Sequence, residues 1–439
     1  MFRILFLSFL VIFSLFADET DDLLDGFDEL ATMQEEDALL DGFDDEESEQ
    51  IGEDKSLSWV PNGIEGKFVQ SMAYSFHNDA PHDGLSSLKS LLFLEYNREL
   101  FNGFKLKVNG NTFYDFSYLI KGRDEFYKED VDELESEVEL FDAYIEGEIS
   151  DNFDIKVGRQ VVVWGKSDSI RITDVLNPLD NRRPAMVDIE DLRLPSAMVK
   201  FDFYHDEWKI SPIMIVEQRF NKNPPFGGDF NPSKKILKQD TPDSFSYALN
   251  VAGEFSGFDI DFYLADIYAQ DELGLPLINH NEKIKMIGSA FNYVYESWLL
   301  KGEVAYKKDF QFLQSGSKKF DRIDTLLGLE YKGIADTTLS YDIANKHMSD
   351  KSKFFEQDSY QHAFRVTSDF YNSTLHANYL IALFGKKLDE GGFQRVWLKY
   401  DIADGVSTNF GLVDYIGGNK MFDAIDDNDM LFLDLSYSF

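Results

Sequence analysis

The sequence predicts an all-β fold: an antiparallel transmembrane β-barrel of about 18 strands behind a disordered acidic N-terminal tail. Three observations predict it. From Lys67 onward, short segments alternate apolar and polar residues; brief turns alternate with long polar loops; and no later stretch is a continuous apolar span of helical length, although aromatics make up 15% of the 439 residues. Alternation at period two sorts side chains onto two faces, and closing the sheet lets strands cross lipid with every backbone group paired. A secreted sandwich, the soluble rival, leaves a band of Leu, Phe and Tyr wetted all round.

Residues 1–17, MFRILFLSFLVIFSLFA, place Arg3 ahead of an apolar run that stops at Ala17. This reads as a secretory signal, because a membrane anchor needs ~20 apolar residues. Residues 18–58 form an acidic tail expected in the periplasm. Between 18 and 54 it holds 18 Asp or Glu and no Lys or Arg, a large share of the net charge of −38. Such a segment cannot bury a core. Within it DLLDGFDE (22–29) returns as ALLDGFDD (38–45), so Leu23, Leu24 and Phe27 recur as Leu39, Leu40 and Phe43. The spacing lacks the alternating oxygen ligands of a calcium loop. Small apolar patches repeated in register among carboxylates suit docking on a partner, and a solvated linker is the plainer alternative.

The barrel is assigned to 59–439. Strands are expected at 67–76, 87–97, 104–118, 138–148, 154–164, 196–204, 208–217, 245–255, 258–267, 284–295, 298–307, 323–332, 337–346, 361–371, 373–384, 393–402, 407–415 and 430–439. Sixteen remain if 67–76 or 87–97 fails to pair. In 393–402, Val396, Leu398, Tyr400 and Ile402 oppose Arg395, Lys399 and Asp401; in 258–266, Ile260, Phe262 and Leu264 oppose Asp259 and Asp261. Long loops fall near 119–137, 217–244, 268–283 and 347–360. An even strand count puts both barrel ends on the short-turn, periplasmic side. The last strand, LFLDLSYSF, carries Leu435, Tyr437 and Phe439 on one face and resembles the C-terminal signal read by the barrel-assembly machinery of Gram-negative bacteria.

If the apolar face meets outer-membrane lipid, the lumen collects Lys156, Lys301, Glu303, Glu330, Lys332, Asp342, Lys346, Arg365, Asp369, Arg395, Lys399 and Asp401. Unpaired buried charges are costly, so this wall is expected to be hydrated or paired across strands. After the strand ending at Trp164, Gly165 opens a connection running to Leu194, twice an ordinary loop and so suspected of function. Folded inward, its charges could pair with carboxylates such as Asp142 and Glu146 and narrow the pore. Arg159 shares parity with Val157 and Val161 and so points toward lipid on a regular strand; a bulge at Gly158 or a place near the rim is expected.

Gly158-Arg159-Gln160, Trp164-Gly165-Lys166, Arg171, Asp174 and Asn177-Pro178 with Asp180 resemble the GRQ…WG…R..D..NP.D core of a Gram-negative outer-membrane barrel family of unknown function. Arg182 and Arg183 follow that core and join its candidate constriction residues. Members of the family are often encoded near RND-type exporters and a lipoprotein-localisation-like periplasmic partner. The resemblance therefore implies an outer-membrane conduit working with an RND-type or lipid-transport system, with residues 18–54 as the partner's tether. A general diffusion porin, or a polysaccharide-export porin sharing the GRQ triplet, is the alternative. An enzyme is not expected: no Gly-x-Ser-x-Gly stretch occurs, and the seven His show no metal-binding spacing. No cofactor, metal or nucleic-acid partner is expected.

Overall fold

The computed structural model describes residues 63–77, 80–231, 233, 239–272, 275–418 and 422–439. The signal segment and the acidic tail with both repeats lie outside these residues. Eighteen strands follow one another: β1 (Ile64–Ser75), β2 (Gly84–Glu99), β3 (Lys105–Asp115), β4 (Ser136–Ser150), β5 (Phe153–Gln160), β6 (Ser196–His205), β7 (Trp208–Ile215), β8 (Ser246–Phe255), β9 (Phe258–Tyr268), β10 (Lys283–Tyr295), β11 (Trp298–Gln311), β12 (Lys319–Ile334), β13 (Thr337–Met348), β14 (Asp358–Phe370), β15 (Leu375–Phe384), β16 (Gly392–Ala403), β17 (Val406–Ile416) and β18 (Met430–Ser438). Each pairs antiparallel with the next, and β18 pairs with β1 from Lys67↔Ser438 to Ser75↔Met430, which closes the sheet. The sixteen-strand alternative fails because 67–76 and 87–97 pair with each other.

The short connections are built for reversal. Asp206, Glu296 and Asp336 each take φ +51° in two-residue turns, matching the twist of the strands they join. At the seam, Gly66 and Phe439 exchange backbone hydrogen bonds of 2.8 Å, and the Phe439 ring lies over Gly66, where a Cβ would sit 2.3 Å from it. An aromatic covering a glycine in this way protects a closing strand pair. Leu435 and Tyr437 point outward beside it.

Alternation produces the two faces. On β11, Lys301, Glu303 and Lys307 are buried while Leu300, Val304 and Tyr306 are about two-fifths exposed on the outside. On β10, Met286, Ala290 and Asn292 face in, opposite Ile287, Phe291, Tyr293 and Tyr295. The inner row is buried because loop residues fill much of the lumen. Trp164, Ile170, Ile172 and Leu176 form one apolar cluster with Met198, Ile213, Tyr263, Met286, Ala305 and Leu326 of the wall. The expected hydrated wall is thus, over this half, a packed one.

Candidate functional site: a loop held across the lumen

The predicted strand through Trp164 ends four residues early, at Gln160. Gly158 takes φ +131°, and a Cβ there would lie 2.1 Å from the Ala143 carbonyl oxygen, so β4 and β5 approach as closely as they do because it has no side chain. Pairing keeps its register through Gly158 on both sides, which replaces the expected bulge with a strand end. Arg159 there donates to the Leu140 carbonyl at 2.7 Å and to both carboxylate oxygens of Glu217, just beyond β7. It also lies 3.5 Å from Glu139, so from the outward parity it locks the ends of β4, β5 and β7 together, and those partners satisfy its charge.

From Val161 to Pro195 the chain leaves the wall and enters the lumen. Asn177, fully buried, ties the base of this loop: the Val162 N–H donates to its Oδ1 at 2.8 Å, and its Nδ2 donates to the Leu194 carbonyl at 2.9 Å. A side-chain amide suits the task because it accepts on one side and donates on the other. Arg171 donates to the carbonyls of Asp174 (3.0 Å) and Asn177 (2.8 Å), and Asp174 in turn holds Arg193 at 3.0 Å. The residues of the sequence motif therefore fold the loop onto itself.

Its tip reaches the far wall. Trp164 stacks on Tyr263 of β9, with ring centroids 4.6 Å apart. Gly165 takes φ +86° and leaves no room for a Cβ, which would meet Glu303 Oε1 at 2.8 Å. Glu303 of β11 then accepts four hydrogen bonds from the loop: from the N–H groups of Lys166 (2.8 Å), Ser167 (3.1 Å) and Thr173 (3.0 Å), and from the Thr173 hydroxyl (2.7 Å). Around it, Ser167 donates to Asp342 at 2.6 Å, Lys301 bridges Asp168 (2.8 Å) and Glu330 (3.0 Å), and Lys166 lies 3.4–3.5 Å from Asp261 and Asp259. The expected partners Asp142 and Glu146 are engaged elsewhere: Asn109 donates to Asp142 at 3.2 Å, and Lys156 pairs with Glu146 at 3.2 Å. The loop bypasses its own neighbouring strand because its anchoring carboxylate stands on β11, five strands beyond β6.

Further along, Asp188 joins Arg365 (2.9 Å) and Arg395 (2.8 Å), while the Tyr415 hydroxyl donates to the Pro184 carbonyl at 2.6 Å. Arg182 pairs with Asp180 (2.5 Å) and Glu137 (2.6 Å), and Arg183 lies 3.4 Å from Asp115. Burial disfavours the Asp180 carboxylate, yet the bonds from Arg182 outweigh it and hold its pKa below the usual value. Lys332 lies 3.6 Å from Glu330. Asp369, Lys399 and Asp401 gather around His376, with Asp369 at 2.6 Å and Asp401 at 3.8 Å, away from the loop near the short turns. Sequence reading missed the second inward connection, where Lys222 reaches Glu137 (2.6 Å) and Glu139 (2.8 Å) and Arg219 reaches Glu139 (2.7 Å).

Between the loop and the β1–β4 and β18 wall lies a cavity of about 330 Å³, lined by Lys89, Leu91, Phe113, Arg182, Arg183 and Phe432 among others. Lys89 was not anticipated either. The signal was present, since it shares parity with Ser87 and Leu91, but its strand carries few other charges.

The family model described as "Protein of unknown function (DUF1302)" matches residues 85–439. No curated protein matches this chain. Among solved structures, OccAB3 of Acinetobacter baumannii superposes with a TM-score of 0.54 at 13% identity, covering 86% of this chain and 98% of that one. OccK2 (OpdF) of Pseudomonas aeruginosa, in complex with glucuronate, gives 0.53 at 11% identity over 86% and 97%. OpdK of the same organism, with vanillate, gives 0.52 at 10% over 86% and 98%. These likenesses show a shared barrel fold, and the match along residues 85–439 places the chain in the DUF1302 family of proteins of unknown function.

Proposed function

We propose that the protein is a non-enzymatic outer-membrane channel whose lumen is narrowed by the inward loop 161–195, so that small solutes pass along the cavity beside it. The observation that carries this reading is Glu303, whose carboxylate takes four hydrogen bonds from a loop rooted five strands away round the barrel. A barrel of 18 strands is wide enough for an aqueous channel, and a loop fastened at its tip is a rigid restriction. The similarly folded OccK2 and OpdK bind glucuronate and vanillate, both small organic acids, which fits a solute-sized passage. The outward apolar face would contact outer-membrane lipid, and the strand carrying Leu435, Tyr437 and Phe439 would be offered to the barrel-assembly machinery. The test is single-channel conductance in planar bilayers, comparing the wild type with a chain whose residues 166–193 are replaced by a short flexible linker. We expect a small conductance that rises when the loop is removed; a large wild-type pore indifferent to the replacement would refute the constriction.

A second reading keeps the channel and adds a periplasmic partner. It rests on the repeated Leu-Leu-x-Gly-Phe patches at 23–27 and 39–43, which precede β1 in the chain. An RND-type exporter or lipid-transport system would dock there. Co-purification of periplasmic partners with the full chain, lost in a Phe27→Ala/Phe43→Ala variant, supports it. Full function without residues 18–54 removes it.

A further inference from the structure

The barrel wall is interrupted beside β5. β4 pairs with β3 along its upper part, from Gly110↔Leu140 to Tyr114↔Ser136, but its pairing with β5 stops at Ala143↔Arg159. There the chain turns into the lumen, so residues 136–142 of β4 form an edge with no strand beside it among the described residues. Neighbouring strands lie ~4.8 Å apart and a tilted strand climbs ~2.5 Å per residue, so toward the long-loop end the ladder lacks a piece one chain wide and several residues tall. Val138, 84% exposed, stands on that edge, and Val163 and Val216, just beyond β5 and β7, are exposed as well. An apolar rim of this kind belongs among acyl chains rather than in water.

Side chains close this notch in place of backbone. Arg159 has the lipid-facing parity of β5 and Glu139 the lumen-facing parity of β4, yet they lie 3.5 Å apart. Two such residues can meet only over the end of a strand. From Glu139 the charges continue inward, to Arg219 at 2.7 Å and Lys222 at 2.8 Å, and from Lys222 to Glu137 at 2.6 Å. On the other side both carboxylate oxygens of Glu217 accept from Arg159. Immediately behind lies the cavity of about 330 Å³, which Glu137, Glu139, Phe141 and Lys222 help to line. Ion pairs between long side chains exchange by bond rotation, whereas a strand ladder opens only when several backbone hydrogen bonds break together.

We propose that the notch is a lateral portal in the barrel wall, through which an amphipathic molecule exchanges between the lumen cavity and the outer leaflet, with Arg159 as its bolt. The tail of such a molecule takes the place of the missing strand along Val138 and Leu140, and its head group passes by exchanging partners within the chain of ion pairs. A solute polar throughout gains nothing on the lipid side, and one apolar throughout must cross the charges unaided. The portal concerns the wall and not the constriction, so it goes beyond the channel reading and does not depend on solutes passing the loop.

The chain has no cysteine, so one introduced thiol reports its own surroundings. The test uses the full-length barrel in liposomes, with Phe141→Cys behind the notch and, as control, Asn378→Cys on the lumen-facing parity of β15, where the ladders to β14 and β16 are continuous. The probe is dodecyl maleimide dissolved in the bilayer. We expect it to modify Phe141→Cys several-fold faster than Asn378→Cys, and faster still when Arg159→Gln or Glu217→Gln withdraws the bolt. Glu217→Gln keeps Arg159 and its bond to the Leu140 carbonyl, which preserves this arm should Arg159→Gln not fold. A Phe141→Cys thiol left unmodified by the lipid-borne reagent overturns the portal. Equal rates at the two thiols overturn it as well, because reagent arriving through the mouth of the barrel reaches both. A rate at Phe141→Cys that neither substitution raises overturns the ion pairs as the bolt.

Discussion

The two sides of this lumen are made by the same alternation and have opposite fates. Along β9–β13 the inward charges Asp259, Asp261, Lys301, Glu303 and Asp342 are consumed in holding the loop. Along β1–β3 and β18 they look onto a cavity. What differs is whether the apolar part of the loop finds a seat. The anchoring side presents Gly288, Ala290, Ala305 and Ala344, and a Cβ on Gly288 would already press Thr173 at 3.2 Å, so Ile170 and Ile172 can seat against the wall. The other side presents Leu91, Phe113, Phe141 and Phe432, and the loop meets it through Arg182 at Glu137 and Arg183 at Asp115, with the cavity left between. The row of small residues gives the apolar part of the loop its seat among the larger Tyr263, Met286 and Leu326.

Breaking the docked side at its centre should give the largest effect. Glu303→Gln keeps the shape but turns one acceptor into a donor facing backbone N–H groups, a loss of ~3 kcal/mol or more for two opposed donors in a buried site. The expected outcome is a several-fold rise in conductance with more frequent open-state fluctuations, and a lowered Tm in detergent. Unchanged conductance with a lowered Tm would mean the loop stays put without its anchor. Asn177→Ala attacks the root instead and removes two good hydrogen bonds, ~2 kcal/mol in all. Limited proteolysis should then cut the loop, which the wild type protects, while Glu303 still holds the tip and the conductance change stays smaller.

The barrel was legible in the sequence because period-two alternation acts strand by strand, and even β1 and β2, the strands in doubt, present apolar residues outward, Phe68, Met72 and Tyr74 on β1 and Leu94 on β2. The motif also marked the loop, since Trp164, Lys166, Arg171, Asp174 and Asn177 all fall inside it. Their partners were not legible. Which wall a loop crosses to depends on contacts between Thr173 and Glu303, 130 positions apart, and alternation says only that Glu303 faces in. The row of small inward residues at Gly288, Ala290 and Ala305 was the available sign, and it could be read only once strand order and tilt had aligned them.

A third prediction sharpens the comparison by asking which side ions use. Asp188 neutralises Arg365 and Arg395. Asp188→Asn leaves two guanidinium groups facing the lumen without a carboxylate between them. If solutes pass near them, the reversal potential in a potassium chloride gradient moves toward chloride, a change of about two- to threefold in permeability ratio. If the passage is confined to the cavity beside Lys89, the reversal potential stays where it is and Lys89→Gln alone shifts it, toward potassium.

The smallest effect should come from protons above the cavity, where loops meet around a space of about 30 Å³ lined by His82, Asp130, Arg183 and Asp229. Burial raises the pKa of Asp130, on the short helix Lys128–Leu134, and of Asp229 to about 6, against the opposing pull of Arg183 on both and of His77 and Lys121 on Asp229. Burial, with His77, Lys121 and Arg183 adding to it, lowers that of His82 to about 4. The two acids bind protons more tightly folded than unfolded between their ordinary value of 3.8 and about 6, so their contribution to stability grows as pH falls through 6. His82 acts the other way between 6.5 and 4, because the unfolded chain takes the proton first. Two acids against one histidine leave a net gain on acidification. Relative to the wild type, Asp130→Asn/Asp229→Asn should lose stability on going from pH 7 to pH 5, and His82→Gln should gain it, read as the change in Tm across that interval. Parallel Tm profiles for all three chains would show that these groups are open to water, and that the loops do not close over this side of the barrel.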